Sequence, residues 1–540
     1  MEGEAMSRLR AAALGRALAA LEADRPAVAE AEASAWLMQN PHDTEAILLL
    51  GLAVAAQGDA ARAAPYLQSV ARARPGFAHP CRDLALLCPD RPFLIDPQFR
   101  ACRAIAPEDA GLACAHAEFL IGLDDAAGAI KILHGSLGKS PSFGPAFNLL
   151  GMALHKFGNL PGAITAFRRA VFLDPNEGAV WTNLGMALSI EGQFNEAVAA
   201  HDQAVACAPE DKRLRTNRSV ALLRAGRLAE GWSDYEARLN AEASPALPQD
   251  RRLPALDGLD LSGRVVLAWH AEGFGDTLQF CRYLPLLAAR GARVLACVPS
   301  PLNRLLRALP GVTLLPDDAP LPAYDYHVPI SSLPRVFGTV LTTIPADSPY
   351  LHADPVLVDH WAARLPAAQM RVGLVWAGQA RPWLSGFASL NRRRSLMLAE
   401  LAELAAVPGL MLVSLQKGPE AEQVRICPDG WGLHDPMAAV IDFADTAAII
   451  ANLDVVVSVD TSVVHLAGAM GKRVLLLDRY DSCWRWLSGR EDSPWYPDLR
   501  ILRQKVSGDW APVVARAAAL VAEMRFDNSE WPRAAPLDRP

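Results

Sequence analysis

Two short segments bring chemically capable side chains to the ends of apolar runs. In HAEGFGDTLQF, residues 270–280, Asp276 follows Gly273 and Gly275. Those glycines would let the chain turn sharply after a strand and set Asp276 at the start of a helix facing a crevice. A carboxylate so placed can take the proton of a hydroxyl while that oxygen attacks carbon; aspartate after a glycine turn also serves as a helix N-cap. In SVDTSVVHLAGAMGKRVLLL, residues 458–477, a buried strand ends at Asp460-Thr461-Ser462 and a helix begins. Hydroxyls and free backbone N–H groups converge there, where the helix dipole favours an anion such as a phosphate or diphosphate. His465 lies one helical turn further on, where a lone histidine is also commonly a packed structural residue.

Further polar residues sit just after apolar runs: Trp376 and Gly378, Arg394-Ser395, Gln416-Lys417, and Arg485 within CWRWL. Cations at strand ends suit the phosphates of a nucleotide, and each of these is equally consistent with a solvated surface or loop residue. Trp484, Trp486, Trp495 and Tyr496 are candidates for either core packing or stacking on a base. No Asp-x-Asp pair stands at a strand end; the adjacent pairs Asp124-Asp125 and Asp317-Asp318 occur elsewhere. This points to chemistry without a metal or other cofactor, with cations and helix termini of the chain stabilising a leaving phosphate.

The elements that must position these residues form two α/β series. Val265–Trp269, a helical stretch over Asp276–Ala289 and Val294–Val298 read as a β-α-β unit. A second series opens at Val372–Trp376 and continues through Leu410–Leu415, Val455–Val459 and Val474–Leu477, runs suited to parallel strands covered on both faces. Residues 244–262 read as a linker, 263–353 as an N-terminal lobe, 354–369 as an interlobe linker and 370–525 as a C-terminal lobe. Two such Rossmann-like lobes enclose a crevice beyond their strand ends, the arrangement of GT-B glycosyltransferases.

Before them comes a repeat. Phe147, Leu150, Gly151, Gly158, Ala163, Ala170 and Pro175 recur 34 residues later as Trp181, Leu184, Gly185, Gly192, Ala197, Ala204 and Pro209. Leu50, Gly51, Gly58, Ala63, Leu67 and Pro75 hold equivalent positions upstream. The period and pattern resemble the tetratricopeptide repeat, a pair of helices locked through small residues and ended by proline. The expected architecture is therefore an α-helical TPR solenoid over 1–243, clearest at 44–77, 144–177 and 178–211 and degenerate over 78–109, followed by the α/β GT-B fold. Stacked repeats present a concave surface suited to a partner protein or to a supporting, dimerising role.

The segments 270–280 and 458–477 are similar to those of heptosyltransferase-like glycosyltransferases. The resemblance implies that Asp276 is the catalytic base, in a loop with His270, Gly273 and Gly275 at the acceptor site. It also implies that Asp460, Thr461, Ser462 and His465 hold a nucleotide-sugar donor, His465 donating to its phosphate. The expected mechanism has the acceptor on the N-terminal lobe, the donor on the C-terminal lobe, and transfer with inversion. The stretch WAGQARPWLSGFASLNRRRS departs from that family in lacking the lysine those enzymes place near the donor phosphates. Repeats fused to a GT-B module also resemble O-linked N-acetylglucosamine transferases and bacterial flagellin glycosyltransferases, which implies a protein hydroxyl as acceptor. A glycan or lipopolysaccharide acceptor and a non-catalytic scaffold are the alternatives.

Composition bounds these readings. A formal charge of −7 argues against a nucleic-acid partner, and the basic run Arg392-Arg393-Arg394 is too short to change this. The apolar stretch Ala46–Ala56 falls well short of a membrane span, and the charged opening segment lacks the apolar region of a secretory signal. A cytoplasmic location is expected, with nine cysteines reduced and residues 526–540 a loosely held tail.

Overall fold

The computed structural model describes residues 2–23, 25–57, scattered positions between 59 and 103, 107–239, 247–316, 320–379 and 387–526. Gly58, Leu67 and Pro75, most of the degenerate stretch, Cys81, Cys88 and Cys102, the start of the expected linker, Asp317-Asp318, positions 380–386 and the tail beyond 526 lie outside the described residues. The chain divides into two compact units, Met1–Glu191 and Gly192–Pro540.

The first unit is helical. Gly144–Phe157 and Leu160–Leu173 form one helix pair, Ala110–Gly122 and Ala126–Leu137 another. Gly151 explains the small residue in the repeat: a Cβ there would lie 2.5 Å from the Phe167 ring, so only glycine lets the two helices approach this closely. Gly158 ends its helix in the left-handed region at φ 92°, and in the second unit Gly192 and Gly226 do the same at φ 83° and 79°. Asp125 caps the Ala126–Leu137 helix by accepting from Gly128 N–H, which gives half of one acidic pair a structural role. Among the described residues no helix is long and apolar enough to cross a membrane.

The second unit begins with the helices Phe194–Cys207, Lys212–Arg224 and Leu228–Tyr235 and continues into two parallel sheets. The first sheet holds β1 (Val265–Trp269), β2 (Arg293–Cys297), β3 (Val312–Leu314) and β4 (Tyr326–Pro329) in the order β3-β2-β1-β4. The second holds β5 (Met370–Val375), β6 (Leu410–Ser414), β7 (Leu433–His434), β8 (Val455–Val459), β9 (Arg473–Asp478) and β10 (Leu499–Arg503) in the order β10-β9-β8-β5-β6-β7. Strand order reverses beside β1 and beside β8, and ligands of such sheets sit at the carboxyl ends of the strands at such reversals.

Four features differ from the sequence reading. The stretch expected to be one helix over 276–289 is two, Phe274–Phe280 and Tyr283–Ala289. Pro285 has no N–H to continue the ladder, and the buried Arg282 at the break donates to the carbonyls of Gln279, Pro345 and Trp495. The expected interlobe linker contains a helix, Pro355–Ala362, capped by Asp354. The described part of the 244–262 segment packs as core: Leu253, Leu256 and Leu261 are buried, and Leu253 N–H donates to the His327 carbonyl.

The fourth difference is the unit boundary, which falls at Gly192 rather than near residue 243. Trp232 and Tyr235 are buried, and Trp232 meets Phe280, Trp484 and Trp495 edge to face while its Nε1 donates to the Thr339 carbonyl. The last repeat thus shares a core with both lobes. Trp232→Ala should remove that wedge at a cost of about 3–5 kcal/mol, read as a lowered denaturation midpoint of the full chain; a wild-type midpoint would show that the repeat is not held by this contact.

Candidate active site

The loop after β1 turns through His270–Gly273 into the Phe274–Phe280 helix. The glycines here do not serve the turn in the way expected. Gly273 has φ −86°, open to any residue, and Gly275 lies inside the helix. Gly275 is required by proximity instead: a Cβ would lie 2.8 Å from Cδ2 of His465, on the facing lobe. Asp276 occupies the third helical position, not the N-cap, and its Oδ2 accepts from Gly273 N–H at 3.0 Å. Its Oδ1 pairs with Arg485 Nη2 across the lobes. Arg485 also donates to Gln279 Oε1 at 2.8 Å and packs on the Trp484 ring, 4.3 Å from its centre.

At the carboxyl end of β8, Thr461 has extended geometry and the helix Ser462–Ala469 starts after it with no side-chain cap. The Val464 N–H bonds to the Thr461 carbonyl, which leaves the N–H groups of Ser462 and Val463 for a ligand. Arg394 reaches the same place: its guanidinium donates to Asn391 Oδ1 at 2.9 and 3.0 Å and to the Asp460 carbonyl at 3.3 Å. Gly378 admits it, because a Cβ there would lie 2.3 Å from the guanidinium; Ser395 Oγ accepts from Gly378 N–H.

The two segments wall one cavity of about 290 Å³, lined by Gly273, Gly275 and Asp276 from one lobe and by Asp460, Thr461, Ser462 and His465 from the other. Arg394, Arg479 and Arg485 line it too, so three arginines and two aspartates border a space beside a helix N-terminus, with Arg479 paired to Asp481 and Arg485 to Asp276. A neighbouring cavity of about 400 Å³ shares Phe274, Thr461 and Ser462 and extends past Gln416, Lys417 and Val440. Beside it Arg304 forks onto Asp442 and Asp445, at 2.6–2.8 Å, a further tie between the lobes.

Several expected site residues do other work. Trp376 is fully buried in the core of the second sheet. His270 Nδ1 lies 2.7 Å from Thr277 Oγ1 and ties the loop to its helix; His270, Trp376, Gly378 and Ser395 line neither cavity. Gln416 accepts from the N–H groups of Trp376 and Ala377 and so stitches β5 to β6. Trp484, Trp486, Trp495 and Tyr496 are core residues. Sequence reasoning missed Gln379, Arg479 and Cys483 in the cavity wall. Arg479 follows the last residue of β9, and the strand-end rule applied there as at β8 finds it.

His465 is the electrostatic outlier. Its Nδ1 lies 2.9 Å from the Tyr496 hydroxyl and its ring stacks on Trp486. Burial, aided by the charge of Arg485, pushes the imidazole down to about 4, and burial does the same to His201. The folded unit therefore holds both rings neutral while the unfolded chain binds protons near pH 6.5. Stability is full above that pH and is lost as the pH falls toward 4, by up to about 3 kcal/mol per ring. Denaturation across this range should show proton uptake on unfolding; a flat profile would place both rings in contact with water.

Residues 399–492 match glycosyltransferase family 9 (heptosyltransferase). That span takes in Asp460–His465, Arg479 and Arg485, and Asp276 lies outside it. Residues 14–76 and 115–178 match the tetratricopeptide repeat. Protein FlbA of Caulobacter vibrioides is 26% identical over 330 residues, 55% of this chain and 53% of that protein, so the chain spans about half the length of this curated relative. Among solved structures, a thermophilic TPR protein of Thermus thermophilus is 18% identical with a TM-score of 0.23, over 39% of this chain and 97% of its own. PilF of Pseudomonas aeruginosa is 21% identical with a TM-score of 0.26, over 36% of this chain and 86% of its own. On the family matches, the chain combines tetratricopeptide repeats with a glycosyltransferase family 9 domain.

Proposed function

We propose that the unit beginning at Gly192 transfers a sugar from a nucleotide-sugar donor to a protein hydroxyl brought to it by the helical repeats. The observation that carries this reading is the shared cavity, in which Asp276 faces the helix N-terminus at Thr461 and Ser462 among three guanidinium groups. The donor diphosphate lies against that N-terminus and Arg394, Arg479 and Arg485, with the nucleoside in the larger cavity beyond Thr461 and Ser462. Asp276 takes the acceptor proton as the hydroxyl oxygen attacks the anomeric carbon, and the nucleoside diphosphate leaves from the opposite face, inverting the centre. The guanidinium groups and helix dipole stabilise the leaving charge in place of a divalent metal. His465, held neutral, adds one N–H donor and no charge.

Asp276 has both oxygens engaged, and each keeps a further lone pair for an incoming hydroxyl. Asp276→Asn should lower transfer by at least about 100-fold. Donor affinity, by calorimetry, should change no more than about tenfold; undiminished turnover would remove Asp276 from this role.

Removing the repeats tests the acceptor. A cut at residue 240 would strip Trp232, Tyr235 and Arg238 from the core and loops of the second unit. A chain starting at Gly192 should hydrolyse donor yet lose modification of a protein acceptor. Retained protein modification would refute recruitment by the repeats.

A further inference from the structure

The last helical repeat does more than fill a gap under the lobes. Its final helix ends at Tyr235, and the short turn that follows carries Arg238, a side chain only 9% exposed. The guanidinium packs on the Tyr235 ring, 3.7 Å from its centre, and donates to the Tyr235 carbonyl at 2.6 Å. It donates to Ser331 Oγ at 2.6 Å, in the turn after β4, and it pairs through Nε with Glu272 Oε1. One arginine therefore pins the end of the repeat, the turn after β4 and the loop after β1.

Glu272 pairs with Arg238 through one oxygen only. Its Oε2 is buried without a hydrogen-bond partner. Burial raises its carboxyl above the usual range, and the charge of Asp276 pushes the same way against the pull of Arg238. A carboxylate kept in so unfavourable a place must be offset by what it holds. What it holds is the peptide it shares with Gly273, whose N–H is the donor to Asp276 Oδ2. The other partner of Asp276 is braced by the same stretch of chain: Arg485 packs on Trp484, which meets Trp232 and Tyr235 edge to face at 5.3 and 5.9 Å.

We propose that Arg238 is a positioning residue for transfer, fixing through Glu272 the peptide N–H that aims Asp276 into the cavity. The end of the helical array is thereby part of the frame of the reacting site. This inference rests on the reading of Asp276 as the base, and its test separates the two.

The full-length chain is compared with Arg238→Ala, Arg238→Lys, Glu272→Gln and the Arg238→Ala/Glu272→Gln double variant. Turnover is read as nucleoside diphosphate released from UDP-, GDP-, ADP- and CDP-linked hexoses, and hydrogen exchange is followed over residues 270–276. Arg238→Ala should lower kcat by about 100-fold with little change in KM, since a displacement near 1 Å at a reacting group has that effect. The Gly273 amide should exchange at least about tenfold faster. Arg238→Lys should recover part of both, and the double variant should be no slower than Arg238→Ala, because the two residues act in series. Wild-type kcat together with wild-type protection of Gly273, in either Arg238 variant, would overturn the proposal, as would losses that multiply in the double variant. Full turnover in Asp276→Asn would overturn the base reading instead, leaving the exchange result to stand on its own.

Discussion

The Asp276 carboxylate and the Arg485 guanidinium belong to different lobes and are both largely withdrawn from water. With the lobes together, each would be a costly isolated charge if the other were removed by substitution, at about 3–5 kcal/mol. The pair forms only where the two backbones come very close, and Gly275 against His465 is what permits that approach. The Arg304 fork on Asp442 and Asp445 joins the lobes beside the larger cavity. Arg282, donating to the Trp495 carbonyl, and Ser348, donating to the Gly468 carbonyl, add further ties between the lobes.

Within those limits the second lobe presents positive potential without mobile charge. The guanidinium of Arg394 is fixed by Asn391 and by the end of β8, and that of Arg485 by Gln279 and Trp484. The uncapped helix adds fixed N–H dipoles, and His465 contributes a neutral ring wedged against Trp486. Donors already aligned spend little reorganisation energy when charge develops on a leaving group.

Local patterns made much of this legible. The 34-residue repeat declared itself through small residues and helix-ending glycines, and β1 and β8 through continuous apolar runs. The segments around Asp276 and Asp460 were readable because a strand, a turn and a helix start lie within a dozen residues. What stayed hidden depends on partners distant in sequence: Arg485 meets Asp276 from 209 residues away, and Trp232 reaches Thr339 from 107. Gly275 looked like turn chemistry because the helix it abuts is nearly two hundred positions downstream. Trp376 misled for another reason: an aromatic residue at a strand end has the same composition whether it points into the crevice or, as here, into the core. The linker misread at 247–262 likewise lacked periodicity, yet its leucines are spaced to cover a sheet edge.

The boundary at Gly192 separates two kinds of evolutionary freedom. Upstream of it each helix pair is stabilised mainly by its immediate neighbours, so whole pairs can be gained or lost without disturbing the chemistry. Downstream, the helices ending at Tyr235 are tied to the lobes by Trp232 and Arg238 and have no such latitude. Related chains should therefore vary in length by multiples of one repeat before the equivalent of Gly192, while the stretch from that glycine to the first strand keeps its length.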